Sequence, residues 1–499
     1  MPPTLPLLHR QITLASALDD DDNILQELQY PEQRIQQTCR IGEVKEWISG
    51  SFNVCIPVYI EGWSRNAPKR VLIRFPLPYR VGELQHPGNA EEKLRCEAAT
   101  FICIQENCPS IPIPHLWGFG FAGGHHFTAI EHIPLFPRLI WYSRRLLSSI
   151  FGCLSPGRYV SRRAPVSLRT GYLIMDYVES TEGVMLSESW EALRHDTRRR
   201  DNLFKGLSRI ILSLAQIPFT QIGSLTLDNN GVIKLTNRPL TLRLQHLENE
   251  SIPTSIGRDL TYSTTDAYLL DLLVCHDSRL RHAPNSVRDE FDGQAQLSIL
   301  TIMRALLPHF TNRDLRRGPF VLTLTDLHQS NIFVDSDWNI KYLVDLEWTC
   351  ARPLEMLHPP YWLTGRGVDQ LEKGEHLDAF SDMHSEFMDA FEEEERSLKR
   401  GKALNLSHIL RKGWETGSFW FFHALDNPKG LYNIFLDHIQ PIFAKLDDPG
   451  MAEFERTIAP YWSPDVTGFL AKKKLEKEVY ESQLRQAFAE ASEASESNR

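Results

Sequence analysis

Across residues 320–348 the chain alternates short apolar runs with polar turns in a way that leaves few folds open. FVLTL, IFVD and KYLVDL read as short strands, rich in β-branched and aromatic residues. TDLHQSN and SDWN between them read as turns. Onto this frame fall three oxygen-bearing side chains: Asp326, Asn331 five residues later, and Asp345 fourteen residues beyond that. Each stands at a strand edge. Phosphoryl transfer calls for such a set, with one carboxylate to orient an acceptor hydroxyl and take its proton. An amide oxygen and a second carboxylate then hold Mg²⁺ against the phosphates. Two ordinary β-turns would also place Asp and Asn here, and D-x-x-x-x-N is common in isolation. The flanking strands and the Asp345-Leu346-Glu347-Trp348 ending set this stretch apart.

DLHQSNIFVD followed by LVDLEW resembles the aminoglycoside phosphotransferase-like (phosphotransferase enzyme) family, in the form found in filamentous fungi. LTNRPLTL, TYSTTDAYLLDLL and EWTCARPLEMLHPPYWLTGRGVD are also similar to these members, so the resemblance covers roughly residues 40–470. It implies an α+β, two-lobed protein-kinase-like fold, with a five-stranded antiparallel N-lobe, one main N-lobe helix and a mainly helical C-lobe. It implies ATP and Mg²⁺ as cofactors, Asp326 as catalytic base, and Asn331 and Asp345 as metal ligands. The N-terminal half then falls into register. Ser49-Gly50-Ser51-Phe52-Asn53 occupies the place of the phosphate-covering loop, with Gly50 and Ser51 at its tip. Arg74 stands where a kinase strand carries its lysine, and Glu97 on the next helix is its expected ion-pair partner. GYLIMDYV matches the hinge, where the backbone of Asp176 and Val178 would bond the adenine edge. Glu347, Trp348, Tyr361 and Trp362 are candidates for the acceptor pocket. D-x-E-W is also like the D-x-E-Y of choline and ethanolamine kinases. The chain departs from the pattern at three points: Leu324 replaces the His of H-x-D, the loop has one glycine, and arginine replaces lysine. These departures open an alternative, a catalytically weak pseudokinase acting as a nucleotide- or partner-binding module.

Composition narrows the classes. Of 499 residues 42% are hydrophobic and 24% charged, which permits a large core and excludes global disorder. Lys+Arg 54 against Asp+Glu 64 gives a net charge of −10, so no nucleic-acid partner is expected. Eight cysteines show no CxxC or zinc-type spacing and read as reduced thiols. The first residues lack a basic, apolar leader, and no uncharged apolar run is long enough to span a bilayer. An intracellular, cytoplasmic protein acting on a small molecule is the expectation; the oligomeric state is left open.

The boundaries expected are an N-terminal extension (1–40), an N-lobe (41–175) with an Arg-rich insertion (133–170), a C-lobe (176–470) and a charged tail (471–499). Residues 133–175 hold seven arginines and no acid. Such a segment reads either as a solvated flap or as a contact for a membrane surface or another anionic partner. Gly118-Phe119-Gly120-Phe121-Ala122-Gly123 satisfies G-x-G-x-x-G, but no amphipathic helix follows it, so a dinucleotide site is not expected.

Overall fold

The computed structural model describes residues 39–60, 70–151, 156–163, 170–398 and 405–497. The expected N-terminal extension, apart from its last two residues, lies outside them. The chain forms the two-lobed α+β fold expected: an antiparallel sheet with one long helix against it, followed by a mainly helical lobe.

The N-lobe sheet is built from β1 (Cys39–Ile41), β2 (Ile48–Ser49), β3 (Asn53–Ile60), β4 (Arg70–Pro76), β5 (Leu116–Gly120), β6 (His125–Ala129), β7 (Tyr159–Arg163) and β8 (Tyr172–Asp176). Their order is β1-β3-β4-β8-β5-β6-β7, with β2 also on β3. Eight strands thus replace the five expected. The additions at one edge are short pieces, and β7 comes from the Arg-rich insertion. The insertion is therefore only partly a flap, because β7 pairs with β6 along its whole length. Tyr159 anchors it, buried, with its hydroxyl donating to Leu116 O at 2.6 Å.

Side chains alternate across the sheet. Val54, Ile56, Ile73 and Phe75 pack together on the outer face. The register pairs Cys55 with Arg74, so Asn53, Cys55 and Arg74 share the inner face. Helix α1 (Asn89–Asn107) covers that face, burying Leu94, Ala98 and Phe101. Its N-terminal turn is bolted to the C-lobe. Arg238 Nε donates to Glu92 at 2.8 Å, Arg258 Nε to Glu92 at 3.1 Å, and Asn89 Nδ2 to Glu248 at 2.8 Å. The G-x-G-x-x-G stretch is the β5–β6 hairpin, and a Cβ on Gly118 would meet Phe127 O at 2.8 Å.

One continuous core runs from beneath the sheet through the C-lobe. Phe380, Phe387 and Phe391 lie at helical spacing on Glu375–Leu398 and are fully buried, with Met383 at the margin. Pro308 sits inside the helix Glu290–Phe310. Phe310 stacks on Phe421 at 4.6 Å, and Thr311 N–H donates to Leu307 O at 3.1 Å to close the last turn. The expected break between C-lobe and tail at 470 is also absent. One helix, Val466–Ser497, crosses it, with Leu470 buried on Gly293 and the buried Lys473 donating to Ala283 O at 2.7 Å. Among the described residues no helix is long and apolar enough to cross a membrane, and seven cysteines are free thiols.

Candidate active site

The loop after strand Phe320–Leu324 is held at both ends. Thr325 Oγ1 donates to Trp348 O at 2.5 Å, and Trp362 Nε1 donates to Leu327 O at 2.7 Å. Leu324 packs on the core. The brace of the loop is Trp362, a buried side chain that meets Trp190 edge-on at 5.2 Å. Asn331 Nδ2 donates to Asp326 O at 2.9 Å, leaving its amide oxygen as the atom available to an ion. Val344 N–H donates to Asn331 O at 3.0 Å and draws the following turn against the loop. Asp345 then takes a left-handed backbone, φ 64°. Asp tolerates this region better than most residues, and the kink carries its carboxylate toward Arg74. Asp326, Asn331 and Asp345 line one narrow slot with Leu327 and Trp348.

Around Arg74 the structure assembles a charge cluster that the sequence disclosed only in part. Arg74 Nη1 donates to Glu97 Oε1 at 2.9 Å; its Nη2 contacts Asp345 and donates to Glu347 Oε2 at 2.7 Å. Lys93, one turn before Glu97 on α1, is fully buried and pairs with Glu347 Oε2 at 2.6 Å. Asn53 bridges the two, donating to Glu347 at 2.9 Å and accepting from Lys93 at 2.5 Å. Two cations thus face three carboxylates. Burial pushes the Glu97 carboxyl upward, against the pull of Arg74. Lys93 and Asn53 were missed in the sequence; the available signal was the i, i+4 spacing of Lys93 and Glu97 on a helix that buries both.

The remaining candidates fall in different places. Gly50 and Ser51 are exposed at the β2–β3 turn, which Gly50 N–H closes on Asn53 O at 2.8 Å. The next residue, Phe52, tucks inward against Trp348, ring centroids 5.1 Å apart. The Asp176 carboxylate accepts from Trp117 Nε1 at 2.7 Å and from His115 N at 3.1 Å, and its own N–H donates to His115 O at 3.0 Å. Val178 follows the end of β8. Glu347 and Trp348 are buried in the cluster and its apolar surround, and Trp362 is buried as a brace. Of the four acceptor-pocket candidates only Tyr361 lines the main cavity.

That cavity, about 260 Å³, opens in the C-lobe beside Asp326. Arg243, Arg352, His358, Tyr361, Asp369, His423 and Asp426 contribute its polar walls. Arg352 is buried and Nη2 donates to both oxygens of Asp426, at 2.6 and 2.8 Å. Burial holds the His423 imidazole down to about 4 and His358 well below its usual value, so both rings are neutral. Their Nε2 atoms are buried without a protein partner. Asp326 is pushed up to about 7, first by burial and then by Asp345 and Glu347, with Arg243 opposing.

The carboxylate oxygens of Glu97, Asp345 and Glu347 lie within 4.8 Å of one another. Glu97 Oε2 and Glu347 Oε1 are buried without a partner. This hard-oxygen, net-negative surround suits Mg²⁺.

No family profile matches the chain, and no curated protein does. Among solved structures, the ethanolamine kinase of Plasmodium vivax is 12% identical, aligning over 87% of each chain with a TM-score of 0.35. Macrolide 2′-phosphotransferase type I is 9% identical over 84% of this chain and 90% of its own, with a TM-score of 0.32. These likenesses are too distant to carry weight, and the lobes and site stand on the chain's own topology and distances.

Proposed function

We propose that this chain is an ATP- and Mg²⁺-dependent phosphotransferase acting on a hydroxyl of a small molecule. One observation carries the reading: Asp326 lines both the open cavity of the C-lobe and the slot it shares with Asn331 and Asp345. An acceptor in the cavity would present its hydroxyl to Asp326, which takes the proton as the new O–P bond forms. A carboxyl titrating near 7 is matched to that work, since a general base is most effective when its pKa lies near the operating pH. Asn331 and Asp345 would hold Mg²⁺, which when bound neutralises charge on the phosphates. Arg74, fixed by Glu97, would meet the phosphates once Asp345 turns to the metal.

The cavity is smaller than the ~300–1,000 Å³ of drug-sized pockets, which favours a compact acceptor. Arg243, Tyr361 and Asp369 line it with polar groups, and hydroxyl or ammonium groups can pair with them. A polyhydroxylated or amino-alcohol compound meets these conditions. The test is ADP release from ATP and Mg²⁺ in the presence of hydroxylated and aminated metabolites. At least one should stimulate release well above the water-driven background, and competing cavity ligands should suppress it.

A second reading has its own support. Arg74 already contacts Asp345 and Glu347, so the metal carboxylate is neutralised from within the protein. A pseudokinase that keeps this contact would bind nucleotide or a partner without turnover. Nucleotide binding with no ADP release from any acceptor would favour it.

A further inference from the structure

The Arg-rich insertion contains helix α2, Leu135–Ile150, which presents an unusual face to solvent. At 100° per residue, Trp141, Arg145 and Ser148 fall within about 60° of one another. That side meets the lobe: Trp141 is buried, its Nε1 donates to Gly157 O at 3.0 Å, and Arg145 reaches Glu106 at 3.4 Å. The opposite side carries Leu135, Phe136, Leu139, Leu146, Leu147 and Ile150, each 52–74% exposed. Arg144 borders this apolar band, and the adjoining strand β7 ends in the exposed Arg162 and Arg163. Among the described residues none of these three arginines enters an ion pair. Helices of globular domains turn their apolar stripe inward; this one turns it out.

We infer that α2 is an interfacial helix that docks the protein on an anionic lipid bilayer. Charge complementarity selects the partner, because residues 133–175 hold seven arginines and no acid in a chain of net charge −10. A broad apolar band bordered by arginine is what a helix lying in the headgroup plane requires: apolar side chains enter the acyl boundary while guanidinium groups meet phosphate. At 1.5 Å per residue α2 is about 24 Å long and would lie flat. Trp141 and the pairing of β7 on β6 fix it to the N-lobe, so docking would orient the whole protein. The inference is independent of the phosphotransferase reading.

The experiment is co-sedimentation of the full chain with phosphatidylcholine vesicles, with and without phosphatidylserine. The wild type should partition onto the anionic vesicles and much less onto the neutral ones, and added salt should weaken binding. Leu139→Glu/Leu146→Glu/Ile150→Glu should abolish it with an unchanged thermal transition, because all three side chains already face solvent. Arg144→Gln should weaken it about fivefold, and Arg162→Gln/Arg163→Gln by about fivefold for each charge. If the triple variant fails to fold, Leu139→Ser/Leu146→Ser is to be used and should also reduce binding. Wild type that ignores both vesicles, or binds them equally, overturns the inference. So does self-association through this face, detected as a concentration-dependent mass that the triple variant loses without any vesicle binding.

Discussion

The buried cluster around Glu347 gives a quantitative test of how the two lobes are joined. Lys93 and Glu347 are both fully buried, and their ion pair is 2.6 Å long. Lys93→Met keeps the stem and removes the charge. Glu347 Oε2 then retains Arg74 at 2.7 Å and Asn53 at 2.9 Å, while the cluster passes from two cations against three carboxylates to one against three. Breaking a buried pair by removing one partner costs about 3–5 kcal/mol; the two surviving donors put this case at about 3. Glu347→Gln leaves the Lys93 ammonium with neutral acceptors only, Asn53 Oδ1 at 2.5 Å and the Gln amide oxygen, and about 3 kcal/mol is again expected. The double variant strands neither charge. Its loss should stay near about 3 kcal/mol rather than the sum of about 6, a coupling of about 3 kcal/mol. Denaturant unfolding of the four proteins at pH 7.5 measures this. Acidification should reduce the Lys93→Met penalty, because Glu97, already pushed upward by burial, can take up a proton and relieve the excess negative charge. Additivity within about 0.5 kcal/mol, or a Lys93→Met effect below about 1 kcal/mol, would refute the pair as drawn.

Three further outcomes concern the proposed chemistry. Asp326→Asn, nearly isosteric, should leave Mg·ATP affinity unchanged by calorimetry and lower kcat about 10²–10⁴-fold; turnover within threefold of wild type would remove Asp326 as the base. With Asp326 at about 7 in the fold against about 3.9 unfolded, the folded chain holds this proton more tightly. Stability should therefore fall, and kcat/KM rise, as pH climbs toward 7. Arg243→Gln removes the charge that opposes the shift and should move the rising limb to higher pH; an unmoved limb would assign the titration to another group. Asp345→Asn keeps a residue able to hold φ 64° and should abolish the Mg²⁺ dependence of nucleotide binding while the fold persists. Equal affinity with and without Mg²⁺ in the wild type would defeat the metal assignment.

Local pattern was sufficient for much of this protein. Period-two runs marked the strands around Arg74 and the loop at Asp326, and the missing helix after Gly123 disposed of the dinucleotide motif. These features depend on neighbours in the chain, so the chain discloses them. The spacing of Asp326, Asn331 and Asp345 belongs to the same class, because one strand–turn–strand unit carries all three.

What the sequence left undetermined depends on groups far apart in the chain. Lys93 reads as a solvated helix lysine until Asn53 and Glu347 close over it, the latter 254 residues away. Trp348 and Trp362 read as pocket aromatics, yet burial makes one a core residue beside Phe52 and the other the brace of the loop at Asp326. His358 and His423 look scattered, and only the folded C-lobe sets them 4.7 Å apart in one cavity wall. The insertion's arginines and leucines were visible from the start, but which face of α2 turned outward waited on the anchoring of Trp141. In each case the deciding quantity is desolvation: whether a charge or ring is withdrawn from water, and what then faces it, is fixed by tertiary packing and not by the residues on either side.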